Sequence, residues 1–218
     1  MAKTGEKQMK TTDMKSFSVK ELVALGKAKS VGREDWLNAV AEVYGELTVS
    51  EPARSWREED GVIYFSVTSD GTTGEEWIKR LGDRDFCVSD YAKQMLRSPD
   101  FKPTNGVTTE VAVLKGMLFA DDDRVTKKIR AKANKRKLAK PNAEVACLIR
   151  EKFTDGEIKA IGLYWILVMH EPIDNFGGRP RLLYVCRSGS GRWLYACYGR
   201  PDGRWDREYG FAFAVPQV

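Results

Sequence analysis

Apolar and polar positions change period several times along this chain, and each change predicts an element. Phe17 and Leu22 flank Ser18-Val-Lys-Glu21, a capping box inside a hydrophobic staple, so a first helix is expected over 19–27. Trp36, Val40, Val43 and Tyr44 recur at helical spacing and predict a second over 33–47. The stretch Val62-Ile-Tyr-Phe-Ser-Val-Thr68 is β-branched and aromatic and reads as a strand. Ser69-Asp-Gly71 ends it, and Thr73-Gly-Glu-Glu76 opens a helix that turns Trp77, Ile78 and Leu81 inward. A shorter helix over 89–96 stops ahead of Pro99, Asn105-Gly106 marks a turn, and 107–119 reads as a strand or strand pair.

From Arg124 the pattern is helical. Val125, Ile129 and Ala133 form a narrow apolar stripe on a long basic helix that Pro141 ends or restarts, and a second helix follows over 143–153. Thr154-Asp-Gly-Glu157 is another capping box and predicts a third helix over 155–169, apolar on every side in its second half and therefore buried. Strand chemistry fills the remainder: 182–187, 192–198 and 209–215 are separated by the turn sequences Ser188-Gly-Ser-Gly191 and Pro201-Asp-Gly203. The expected fold is α+β, a C-terminal antiparallel β-meander packed against three helices, with an N-terminal helical arm. Its parts are a flexible basic tail (1–16), an N-terminal helical element (17–60) and a core domain (61–218).

Composition supports a globular protein. With 42% hydrophobic, 11% aromatic and 31% charged residues in 218, the chain is far from disordered, collagenous or disulfide-scaffold extremes. The longest nearly unbroken apolar run, 160–169, is about half of the ~20 residues a bilayer span needs, and MAKTGEKQMKTTDMK carries no apolar signal segment. No membrane association and cytoplasmic residence are expected. Cys87, Cys147, Cys186 and Cys197 are too scattered for a C-x-x-C motif, and free, buried thiols are the expectation.

Charge supplies the main functional signal. Residues 124–143 hold nine Lys or Arg and no acid, against a net +5 for the whole chain. On a helix Arg124, Lys128 and Lys135 fall within about 40° of one another, flanked by Lys127 and Lys132 and followed by Arg136, a strip able to neutralise phosphates. The plainer reading is a solvated helix face paired with acids elsewhere. A second signal is the interleaving of arginine and aromatic residues after 179: Trp193 and Tyr195 share one strand face, Tyr198 takes the other, and Trp205 follows. If that face is open, bases could stack on it; if a helix covers it, the rings are core.

Three other features carry less. His170, the only histidine, is a conceivable general base beside Glu171, Asp174 or Asp155, and equally a helix C-terminal cation; no nucleophile motif accompanies it. No residue spacing suggests a metal site, and no cofactor is expected. Ser69-Asp-Gly-Thr-Thr-Gly74 looks like a phosphate loop but lacks the lysine, and Glu75 and Glu76 would repel a phosphate, so it reads as a capped strand-to-helix junction.

The blocks WIKRLGDRDFCVSDYAKQML, EVACLIREKFTDGEI, MHEPI and GRW…YGFAF, in that order, resemble an uncharacterised family of small bacterial proteins with no assigned activity or cofactor. The likeness covers roughly residues 74–215 and implies one architectural unit, with no functional residue to carry over. The functional expectation is thus a non-catalytic nucleic-acid-binding protein that contacts phosphates through Arg124, Lys127, Lys128, Lys132, Lys135 and Arg136, with Trp193, Tyr195 and Trp205 as a possible aromatic platform. The alternative is a protein–protein interaction module or homo-oligomer that sets the basic helix against an acidic surface.

Overall fold

The computed structural model describes residues 55–174, 177–188 and 191–217, all within Ser55–Val218, the second of two units into which the chain divides. The tail predicted over 1–16 and the helices predicted over 19–27 and 33–47 lie outside the described residues. The strands are β1 (Arg57–Glu59), β2 (Val62–Asp70), β3 (Phe86–Val88), β4 (Asn105–Lys115), β5 (Trp165–Val168), β6 (Ile173–Asp174), β7 (Pro180–Ser188), β8 (Gly191–Tyr198) and β9 (Tyr209–Ala214). They form one mixed sheet in the order β1-β2-β4-β9-β5-β7-β8-β3, with β6 added to β7. Pairing is antiparallel except where β5 meets β9 and β3 meets β8. The helices are α1 (Gly74–Gly82), α2 (Asp90–Leu96), α3 (Thr126–Lys135), α4 (Val145–Lys152) and α5 (Asp155–Ala160).

Mixed α and β composition agrees with the expectation, but the strand order does not. β7 and β8 form the expected hairpin; β9 leaves it, crosses the sheet and pairs with β4 and β5, so the last three strands are not a meander. The cause lies in the apolar run 160–169. α5 ends at Ala160, Gly162 takes φ +82°, and Trp165–Val168 is a central strand. Ile166 and Val168 face one core and Leu167 and Met169 the other. A strand buried on both sides is apolar at every position, which periodicity alone cannot tell from a buried helix.

The predicted packing of a meander against three helices is replaced by helices on both faces of the sheet. Ile63, Phe65, Val111, Val113, Val185 and Leu194 form one sheet face, in a core shared with Trp77 and Leu81 of α1, Met95 of α2, Ile149 of α4 and Ile158 of α5. The opposite face carries Ala112, Leu114, Phe211 and Phe213, in a core shared with Ile129 and Ala133 of α3. α3 is therefore set apart on the other side of the sheet from α4 and α5.

Local signals explain the starts of α1 and α5. Thr73 and Thr154 accept from the backbone N–H of Glu76 and Glu157, whose carboxylates accept in return from the Thr73 and Thr154 N–H groups. Gly74 is fixed by space: a Cβ there would lie 1.7 Å from the Leu96 carbonyl oxygen at the end of α2. Arg80 locks this corner, donating to both oxygens of Glu151 at 2.7 and 2.6 Å and pairing with Asp70.

Candidate nucleic-acid interface

α3 begins and ends on backbone contacts. Its N-cap, Val125, offers no side-chain acceptor; instead the N–H groups of Thr126 and Lys127 donate to the Gly203 and Pro201 carbonyls at 3.0 and 2.9 Å. The helix N-terminus is therefore filled by the chain's own carbonyls, and phosphate chemistry here falls to side chains. The helix stops six residues before Pro141. Lys137 adopts φ +58°, Leu138 N–H donates to the Ala133 carbonyl and Lys137 N–H to that of Asn134, which together make a Schellman motif with lysine in the left-handed position. Val125, Ile129 and Ala133 are buried, as a stripe at that spacing should be.

The six cations singled out by sequence divide into two groups. Arg124 is turned inward, donating to the Phe119 and Trp205 carbonyls at 3.0 and 3.2 Å and pairing with Asp121. Lys128 pairs with Asp123 at 2.7 Å and donates to the Asp122 carbonyl. Lys132 donates to the Leu118 carbonyl with its ammonium 4.4 Å from the Phe119 ring centre. By contrast Lys127, Lys135 and Arg136 are exposed and form no ion pair or hydrogen bond through their side chains among the described residues; Lys137 is the same. Elsewhere in the basic stretch, Arg130 donates to the Met169 and His170 carbonyls and Lys140 pairs with Glu171.

The internal partners were legible but missed. Asp121-Asp-Asp123 directly precedes Arg124, and a charge window opened at Arg124 leaves them out. They sit on a single turn of 3-10 helix facing α3, and the Lys128 ammonium holds the Asp123 carboxyl below its usual range. Between this turn and α3 runs an open cleft of about 430 Å³, lined by Phe119, Asp123, Lys128, Ala131, Lys132 and Lys135 among others.

The aromatic candidates lie where alternation puts them, Trp193 and Tyr195 on the α3 side of the sheet, but in longer company. Trp193, Tyr195, Tyr184, Trp165 and Tyr209 follow one another across β8, β7, β5 and β9 with ring centres 4.7, 5.5, 4.7 and 4.5 Å apart and planes within 26°. Trp205 joins at the Tyr209 end and donates its indole N–H to the Thr126 hydroxyl at 2.9 Å. Tyr195 and Tyr184 each stack on two neighbours and Trp165 on three, Tyr164 included, so a base seeking a ring face meets another ring. Burial pushes the Tyr184 and Tyr209 phenols up.

His170 lies outside any helix and is 1% exposed. Its Nε2 accepts from the Leu183 N–H at 3.0 Å and its Nδ1 donates to the Glu171 carbonyl. Desolvation lowers its pKa to about 4. The ring is a neutral brace between the segment after β5 and strand β7, neither a reachable base nor a helix-terminal cation. Burial likewise raises the Cys186 and Cys197 thiols to about 11 and about 12, and that of Cys147 well above the ordinary value. Among the described residues no three His, Cys, Asp or Glu side chains converge as a metal site, and no helix is long and apolar enough to cross a membrane.

No protein-family model, no curated protein and no solved structure matches this chain.

Proposed function

We propose that this is a non-catalytic nucleic-acid-binding protein whose outer α3 surface, at Lys127, Lys135 and Arg136, contacts the phosphate backbone with little sequence preference. One observation carries the reading: among the described residues these three exposed cations, with Lys137 beside them, pair with no acid, whereas their neighbours Arg124, Lys128 and Lys132 are held by the chain's own oxygens. Ammonium and guanidinium groups left in this state exchange condensed counterions for phosphates on binding, a gain driven by released salt and indifferent to base identity. Backbone contacts alone position a protein without reading sequence, and the stacked aromatic row offers few free ring faces to add stacking.

Fluorescence anisotropy with labelled duplex and single-stranded oligonucleotides across a salt series tests this. Three phosphate contacts give a duplex log–log salt slope of about −3. Lys127→Glu/Lys135→Glu/Arg136→Glu abolishes binding, while Lys128→Gln, which removes a cation already paired with Asp123, changes it little. Equal affinity for wild type and the triple variant overturns the reading. If oligonucleotides fail while the wild type self-associates in a salt-dependent way, the same cations serve an acidic protein surface instead.

A further inference from the structure

The other face of β8 carries an unassigned cationic cluster remote from the α3 surface in its chemistry. Arg181 of β7 and Tyr198 of β8 are register partners. The Arg181 guanidinium lies between two rings, 3.7 Å from the centre of Tyr91 and 4.5 Å from that of Tyr198. Arg179 donates to the Tyr198 hydroxyl at 2.7 Å, and the Arg200 guanidinium lies 5.2 Å from the same ring. Arg181 is 4% exposed, yet Tyr91 and Tyr198 are 49% and 37% exposed, so a buried charge sits just beneath an open aromatic mouth.

What sets Arg181 apart is the lack of an anionic partner among the described residues. Arg150, the other buried arginine among the described residues, puts its terminal nitrogens on the Cys186 and Phe153 carbonyls and pairs with Asp155 at 3.0 Å. Both arginines bury an Nε without a partner, but Arg181 has in addition no hydrogen bond or ion pair among the described residues, and neither Asp90, Asp174 nor Asp202 forms an ion pair with it or with Arg200. Burying a guanidinium is costly unless its donors are satisfied, and stacking between rings offsets only part of that cost. A bound oxyanion supplies what is missing, since guanidinium groups match phosphate in planarity and donor spacing. The local field is already visible: the Arg179 hydrogen bond, with Arg181 and Arg200 adding to it, holds the Tyr198 phenol below its usual range.

We propose that Arg181, with Arg200 and Arg179 around Tyr198 and Tyr91, forms a binding site for a phosphate group. The site accepts the tetrahedral oxyanion of a phosphomonoester, whether on a small molecule or at the end of a nucleic acid chain. It stands independently of the α3 reading, because its residues and its counter-charge deficit are separate from Lys127, Lys135 and Arg136.

Calorimetric titration of the full chain with inorganic phosphate, at ionic strength held constant with chloride, is the direct test. Saturable binding with a Kd of about 1 mM or tighter is expected. Arg181→Met should abolish it, and Arg200→Gln, at an exposed position where folding is not at stake, should weaken it about tenfold. Lys135→Glu/Arg136→Glu should leave it unchanged. A second arm compares 5′-phosphorylated with 5′-hydroxyl oligonucleotides in the Lys127→Glu/Lys135→Glu/Arg136→Glu background: a preference for the phosphorylated end assigns the ligand to nucleic acid termini, and equal weak binding assigns it to small phosphates. Absence of saturable phosphate binding, or binding that Arg200→Gln leaves intact, overturns the proposal whatever the oligonucleotide results.

Discussion

Single side chains here do work that their type alone would not suggest. His170 is a case in which burial outweighs intrinsic basicity. Its folded pKa of about 4 lies below the ordinary 6.5, so the unfolded chain takes up a proton first as pH falls. The stability that neutral His170 contributes is complete above pH 6.5, declines through the interval down to about 4 and is then gone. The amount is of the order of 3 kcal/mol, measurable as a falling denaturation midpoint in urea, and His170→Gln should flatten that part of the profile. At Lys137 the sign is reversed, because a β-carbon is held at φ +58°. Lys137→Gly removes the left-handed penalty at the Schellman position and should raise unfolding free energy by about 0.5–1 kcal/mol, read from the same urea curves.

At the scale of elements, what sequence revealed depended on how local the signal was. The capping boxes at Thr73 and Thr154 fixed the starts of α1 and α5, since every atom involved lies within four residues. Period-two alternation placed Trp193 and Tyr195 on one face and Tyr198 on the other for the same reason. β5 was illegible because its apolar character reflects two layers contributed by distant parts of the chain, and His170 was misplaced with it. α3 was legible as an amphipathic basic helix, but which cations remained free turned on Asp121 and Asp123 just outside the charged run and on backbone carbonyls such as that of Leu118. The α1–α2 corner gives a sharp prediction. Gly74→Ala drives a methyl group into the Leu96 carbonyl, and since backbone must move to admit it, a loss of about 3 kcal/mol is expected in thermal or chemical denaturation. Gly82→Ala, which meets nothing within 4 Å, is the matched control and should be neutral or slightly stabilising.

Across the whole described unit, the sheet separates two kinds of surface. Its α3 side holds the aromatic row beside the free lysines, and its other side holds the helical layer and the Arg181 cluster. Tyr184 is central to the row and 8% exposed, so Tyr184→Ala should cost about 3–4 kcal/mol of stability, whereas Tyr198→Ala, on an open ring, should cost much less and act on phosphate affinity. The strand order could not be read from the sequence, because it depends on which distant strands meet, and no turn encodes that β9 travels past β7 and β5 to reach β4.

That placement governs how the molecule can be assembled. β9 is the last described strand, yet it sits between β4 and β5 and, among the described residues, is the strand that joins β1-β2-β4 to β5-β7-β8-β3. A nascent chain emerging from the ribosome therefore carries two half-sheets, each with an unpaired rim, until residues 209–214 are released to insert between them. Insertion of β9 therefore completes the described sheet, and deleting residues 209–214 leaves two half-sheets on one chain with no seam to zip them shut.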